Sequence, residues 1–370
     1  MAKKNNTSPL TKKKAVIKPV TKKNLITYVM VIAVFTLFQT LSATGNLKYA
    51  HKALLVPVCT SIIMAVSLNL VVGVLGELSL GHAGFMCVGA YSGSFFSVLM
   101  EDVITADWLR FTLAFIVAAV CASIAGILIG IPVLRLKGDY LAIVTLAFGE
   151  IIKTIVNALY VGKDAEGFHV ALDSSSINML PDGFFIMKGP QGITGTPKNS
   201  SFVVGFILIM ITLFVVTNLM DSRTGRAIMS IRDNRIAAES VGIDVTKYKL
   251  MVFTISAAIA GCAGVLYSHN ISTLTASTNN FGYNMSILVL VYVVLGGLGN
   301  IRGSIISATI LYALPELLRG FSEYRMLIYA IILIFMMIFN NGTFFVQFRK
   351  NLVYKVKTVF SKKSAEKGVN

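Results

Sequence analysis

The chain has 370 residues, 55% of them hydrophobic and only 14% charged, against roughly 25% charged in soluble domains, so a water-soluble globular core is excluded. Its net charge of +16 does not mark a nucleic-acid binder, because fifteen of the 33 Lys and Arg residues lie in the two tails, Lys3 to Lys23 and Arg349 to Lys367, where basic residues beside membrane spans sit near anionic lipid. The apolar residues run in blocks of about 20, the length of helix that crosses about 30 Å of hydrocarbon, and lack the short alternating segments of a β-barrel.

These features predict an all-α polytopic membrane protein. Residues 1–24 read as a basic cytoplasmic tail, too long and polar before the first apolar run for a cleaved signal peptide. Apolar spans follow near 25–43, 53–75, 84–100, 109–134, 141–160, 202–220, 250–269, 284–300, 303–318 and 324–345. That makes about ten transmembrane helices in a permease domain, 25–345, closed by a second basic tail, 346–370. With the N-terminus inside, every even-numbered span returns to the cytoplasm, and these exits carry Arg135 and Lys137, then a central polar island, Arg302 and the C-terminal tail. This is the distribution that the positive-inside rule expects, with both termini cytoplasmic. A count of eight or nine would put one tail outside or require a re-entrant segment.

At the end of the second span the chain reads NLVVGVLGELSLGHAG, Asn69 to Gly84. Asn69, Glu77, Ser79 and His82 stand among four glycines, a composition that suits a broken helix, tolerated at membrane depth only within protein or beside a water-filled cavity. In the fifth span Glu150 and Lys153 are three residues apart on one face. Each alone would cost about 2.5–3.5 kcal/mol at the bilayer centre, so they should pair or face water. Two readings are open: a local ion pair that orients the helix, or a polar lining of a translocation path.

Residues 161–201, rich in Gly and Pro, predict an ordered-loop or short-helix surface on the outer side. Residues 271–284, rich in Ser, Thr and Asn, form a second outer loop, and both are candidate landing surfaces for an extracytoplasmic partner. Between them lies the island Asp221–Lys249, with six basic and four acidic residues in twenty-nine. Arg235 and Glu239 have i,i+4 spacing and Gly242 stands where a helix would end. The island is either a solvated connector or a docking element. Small residues four apart, Ala257 with Gly261 and Ala260 with Gly264, predict closely packed helices. A glycine run similar to the first, Val294 to Gly303, follows the eighth span, and Glu316 with Arg319 reads as an interfacial pair. Cys59, Cys87, Cys121 and Cys262 show no metal-type spacing and read as packing residues.

No phosphate-binding loop, metalloprotease motif, nucleophile elbow or dinucleotide fingerprint occurs in the sequence. The expectation is therefore no catalytic, cofactor-binding or metal-binding residue in this chain, with any ATP used by a partner subunit. A transporter driven by an ion gradient, with no ATPase, is the alternative of a different class.

The stretch SIRDNRIAAESVGIDVTKYK (Ser230–Lys249) resembles the cytoplasmic coupling loop of bacterial ABC importer permeases, although Ala237-Ala238-Glu239 reverses the Glu-Ala-Ala order common in those loops. GELSLGHAGFMCVGAY (Gly76–Tyr91), LKGDYLAIVTLAFGEIIK (Leu136–Lys153) and GPQGITG (Gly189–Gly195) add to it. Together, and over most of residues 50–345, they resemble branched-chain amino-acid permeases of the LivM type, a group that includes urea-transporting relatives. The resemblance implies a non-catalytic inner-membrane subunit that pairs with a second, related permease. Solute would arrive from an extracytoplasmic binding protein, and ATPase subunits would dock at Arg232, Asp233, Ala237, Ala238, Glu239 and Gly242. It leaves urea, nucleosides and sugars open as alternatives to a branched-chain amino acid.

Overall fold

The computed structural model describes residues 19–45, 49–133, 136, 138–164, 167–173 and 183–341. Most of the N-terminal tail, the whole C-terminal tail, Arg135 and Lys137 lie outside these residues. The chain divides into two units, Met1–Leu47 and Lys48–Asn370. Among its described residues the first holds a single helix, α1 (Pro19–Ala43), which starts six residues before the apolar run, on a proline whose fixed φ and missing N–H suit a first helical position.

The second unit is built on α2 (Tyr49–Asn69), which continues as a π-helical segment, Leu70–Leu75. Every residue from Cys59 to Leu75 is buried. Gly76 then turns the chain out of the helix at φ +82°, a left-handed conformation that glycine adopts without the Cβ penalty. Residues 76–81 are non-helical before α3 (His82–Leu99) begins. The helix break expected from the glycines is present.

α3, α4 (Asp107–Val133) and α9 (Val245–Ser268) form the tightest packing in the unit. α4 shows why. Ala114, Ala118, Ala122 and Gly126 recur every four residues and are buried, while Ile116, Val120, Ile124 and Leu128 recur on the exposed face. In lipid the large apolar face gains nothing by turning inward, whereas small residues let backbones approach. The approach is close: a Cβ on Gly89 would lie 2.3 Å from the Gly261 Cα, and one on Gly264 would lie 2.2 Å from the Met86 carbonyl oxygen. α5 (Asp139–Ala158) packs on α3 and exposes Ile143, Ile151 and Ile155. The four cysteines are free thiols, two of them buried.

The loop after α5 departs from the expected loop-or-short-helix surface. It contains β1 (Tyr160–Lys163), β2 (Phe168–Ala171) and β3 (Phe184–Lys188), an antiparallel sheet in the order β2-β1-β3. Aromatic and β-branched residues (Tyr160, Val161, Phe168, Val170, Phe184, Phe185, Ile186) suit strands, but strands of four or five residues are too short to show a period. β4 (Ile193–Thr194), inside GPQGITG, pairs with β5 (Thr273–Leu274), so the loops 161–201 and 271–284 are stitched together.

From there α6 (Phe202–Asp221) leads to the island, which forms α7 (Arg223–Asp233) and α8 (Arg235–Ser240) before α9. After β5 come α10 (Thr278–Phe281), α11 (Tyr283–Gly296), α12 (Ile301–Leu317) and α13 (Arg325–Asn341). Among the described residues eight helices are long and apolar enough to cross a membrane. The expected count was ten. Each of the ten predicted spans overlaps a helix among the described residues, but α3 and the 17-residue α13 are not among the eight.

Candidate functional site

Each helix of the island starts on a side chain that accepts a backbone N–H. Ser222 accepts from Gly225 at 3.0 Å, Asn234 from Ala237 at 3.1 Å and Asp244 from Lys247 at 3.1 Å. Such caps satisfy donors that a short helix otherwise leaves bare. α8 ends in a Schellman motif: Ile243 N–H donates to the Ala238 carbonyl, Gly242 N–H donates to the Glu239 carbonyl, and Gly242 has φ +85°. Ile231, Ala238 and Val245 are buried together, with Ile243 and Tyr248 against them. The island is thus a defined unit with its own small core.

Its outer surface is unusual for a solvated connector. Ile236 is 79% and Val241 76% exposed, on the same short segment as the exposed Ala237 and the Arg235–Glu239 ion pair at 2.9 Å. Neither apolar residue was singled out by sequence, because β-branched residues in an oily chain carry no signal until their exposure is known. Asp233 is exposed and pairs with Arg232.

Arg232 also reaches the broken helix. Its Nη1 donates to the Gly73 carbonyl at 3.1 Å, an acceptor near the end of the π-helical segment, where helix termini leave carbonyls without internal partners. The stem of Arg232 lies over Gly76, where a Cβ would come within 2.5 Å of its Cγ. A second tie comes from Lys249, whose ammonium forms an ion pair with Glu77 while almost fully buried. One turn above, Asn69 accepts from the Gly299 N–H at 2.8 Å and donates to Ser304 Oγ at 2.9 Å. The two glycine-rich runs are therefore in contact, the α2 segment against the turn between α11 and α12.

Further along the break the polar groups find partners inside the bundle, except the buried Ser79 hydroxyl, which has none among the described residues. Ser67 Oγ donates to the Ser256 carbonyl at 2.7 Å, so the 2.9 Å contact with His82 makes Nε2 of the imidazole the donor. Ser256 Oγ returns a bond to the Ser67 carbonyl. Ser79 is buried, and its neighbour Leu80 donates to Thr145 Oγ1 on α5 at 3.0 Å. Ala83, at the start of α3, donates to Ser286 Oγ on α11. Glu150 and Lys153 pair as expected, but the pair is not merely local. Glu150 accepts from the Tyr283 N–H at 2.6 Å and Lys153 donates to Thr278 Oγ1 at 3.2 Å.

The residues predicted for docking and those predicted for the bundle interior form two separate sets in the sequence. The structure joins them through Arg232 and through Lys249, which the sequence gave no reason to single out from the other basic residues of the island. Glu150 and Lys153 stand apart from that junction. Farther away, a cleft of about 460 Å³ beside the sheet is lined by Tyr160, Phe185, Lys188, Pro190 and Gln191. Among the described residues no group of three or more His, Cys, Asp or Glu side chains could hold a metal ion.

The family described as "Branched-chain amino acid transport system / permease component" matches residues 52–338, which contain the island, the break and both glycine runs. The chain belongs to this family. The high-affinity branched-chain amino acid transport system permease protein LivM of Salmonella typhimurium is 35% identical over 297 residues, 75% of this chain and 66% of the relative. LivM of Escherichia coli is 34% identical over the same shares. The LivH permease of Salmonella typhimurium is 24% identical over 76% of this chain and 90% of its own length. The chain thus spans just under two thirds of the LivM relatives. No solved structure matches it. As a member of this permease family, with several helices able to span a bilayer, it is a multi-pass membrane protein.

Proposed function

We propose that this chain is the non-catalytic membrane subunit of an ABC importer for branched-chain amino acids, in the inner membrane, with ten crossings and both termini cytoplasmic. Family membership supports the transport class. The observation that carries the mechanism is the capped α7–α8 island, which presents Ile236 and Val241 outward and fastens inward to Gly73 and Glu77. An apolar pair on a rigid turn, rimmed by charges, suits a groove on a partner. ATPase subunits would dock there, at Ile236, Ala237, Glu239, Val241 and Gly242. Their closure on ATP would push the island, and Arg232 and Lys249 would carry the push into the interrupted α2–α3 segment. Rocking of one part of the bundle against another then opens the path to alternate sides. The stitched outer loops, with the cleft beside β3, would receive the solute-binding protein, and LivM–LivH likeness favours pairing with a second, related permease.

The test is co-expression with candidate ATPase subunits. Ile236→Asp with Val241→Asp, or Gly242→Trp, is expected to abolish co-purification of the ATPase while the permease stays folded in detergent. ATP-driven leucine uptake in proteoliposomes containing the binding protein should be lost with it. Uptake by this chain alone, without ATP or ATPase, would overturn the proposal.

A further inference from the structure

Glu150 and Lys153 lie within the apolar length of α5, at the edge of its exposed face. Their side chains keep 28% and 14% exposure, most of each being covered by protein. Charges within an apolar span are a functional-site signal with a partner to be named. Here the partners come from two directions. One carboxylate oxygen of Glu150 meets Lys153, and the other accepts from Tyr283 N–H, the first residue of α11. Lys153 also donates to Thr278 of α10.

The location is as informative as the pairing. Gly149, next to Glu150, touches the start of α3 so closely that a Cβ on Gly84 would lie 2.8 Å from its Cα. Gly282 separates α10 from α11. The pair therefore stands where two interrupted helices meet, the arrangement that builds substrate sites in transporters.

We propose that Glu150 and Lys153 form a binding site for a zwitterionic α-amino acid, a proposal that rests on the amino-acid importer reading above. Such a solute carries a carboxylate and an ammonium on one carbon, and the pair offers one complementary group for each. The donors that hold the Glu150 carboxylate, Lys153 and the Tyr283 N–H, together with the Thr278 hydroxyl, suit the solute carboxylate. Glu150, released from them, suits the solute ammonium. Paired with each other, the two side chains leave neither charge bare, and entry of the solute exchanges one ion pair for two.

The experiment uses the assembled transporter with its ATPases in proteoliposomes, comparing wild type, Glu150→Gln, Glu150→Asp, Lys153→Met and the double swap Glu150→Lys/Lys153→Glu. Leucine uptake is expected to fall by at least about tenfold in the Gln and Met variants, the loss that follows one charged hydrogen bond. The swap should be equally impaired, because the Tyr283 N–H favours an anion and rejects a lysine. Glu150→Asp should retain part of the uptake. Co-purification of the ATPases and an unchanged size-exclusion profile report folding and assembly of each variant. Radiolabelled leucine binding to the permease–ATPase complex without binding protein should be lost in the Gln variant and competed only weakly by 4-methylpentanoate or isopentylamine. Full activity of the swap means the pair is only a structural clamp and overturns the proposal, as does unchanged uptake in the single variants. A wild-type transporter that hydrolyses ATP but moves no amino acid overturns the importer reading and this site together.

Discussion

Glu77→Gln isolates one buried charge and so tests the junction between island and break. Lys249 is only 4% exposed at its side chain, and Glu77 is 17% exposed. Removing the carboxylate leaves an ammonium in the interior with no counter-charge, which typically costs about 3–5 kcal/mol. Lys249→Met strands the more exposed partner and should cost less. The double variant removes both charges, and replacing a buried pair by uncharged groups is often near neutral, so it should recover most of the loss. Unfolding in mixed detergent and SDS micelles, followed by tryptophan-independent far-UV circular dichroism, gives the four stabilities of the cycle. A coupling energy below about 0.5 kcal/mol, with the two single losses simply adding, would refute the ion pair as a structural tie.

Three other sites give sharper local tests. Asn69→Leu leaves the half-buried Gly299 N–H without its side-chain acceptor and takes one of two hydrogen bonds from the Ser304 hydroxyl, and a loss of about 1–3 kcal/mol in the same titration is expected. Gly261→Leu has no room, since a Cβ there would already sit 2.5 Å from that of Ala122; overpacking of about 1–3 kcal/mol or more should show as a lower melting temperature. Asn234→Ala removes the cap of α8 and should cost about 1 kcal/mol locally, read as faster amide exchange in residues 235–240 with α9 unchanged.

Much of the candidate site was legible because its signals are local. Gly242 closes α8 through neighbours within five residues, and the i,i+4 spacing of Arg235 and Glu239 becomes an ion pair. The glycines after Asn69 do break the helix. The three-stranded sheet was not legible, since strands of four or five residues between Gly and Pro carry too little period. Ile236 and Val241 look like any other apolar residue in this chain.

By itself, then, the sequence determined the class of the protein and the ends of its elements. Runs of apolar residues, capping side chains and glycines act over one or two helical turns, and that physics is written in adjacent residues. Only the tertiary structure decided the partners. Lys249 meets Glu77 across 172 positions, Asn69 meets Gly299 across 230, and Arg232 meets the Gly73 carbonyl across 159. Each of those side chains has several chemically adequate partners in the sequence, and the choice among them is made by close helix packing around Gly73, Gly76 and Gly299.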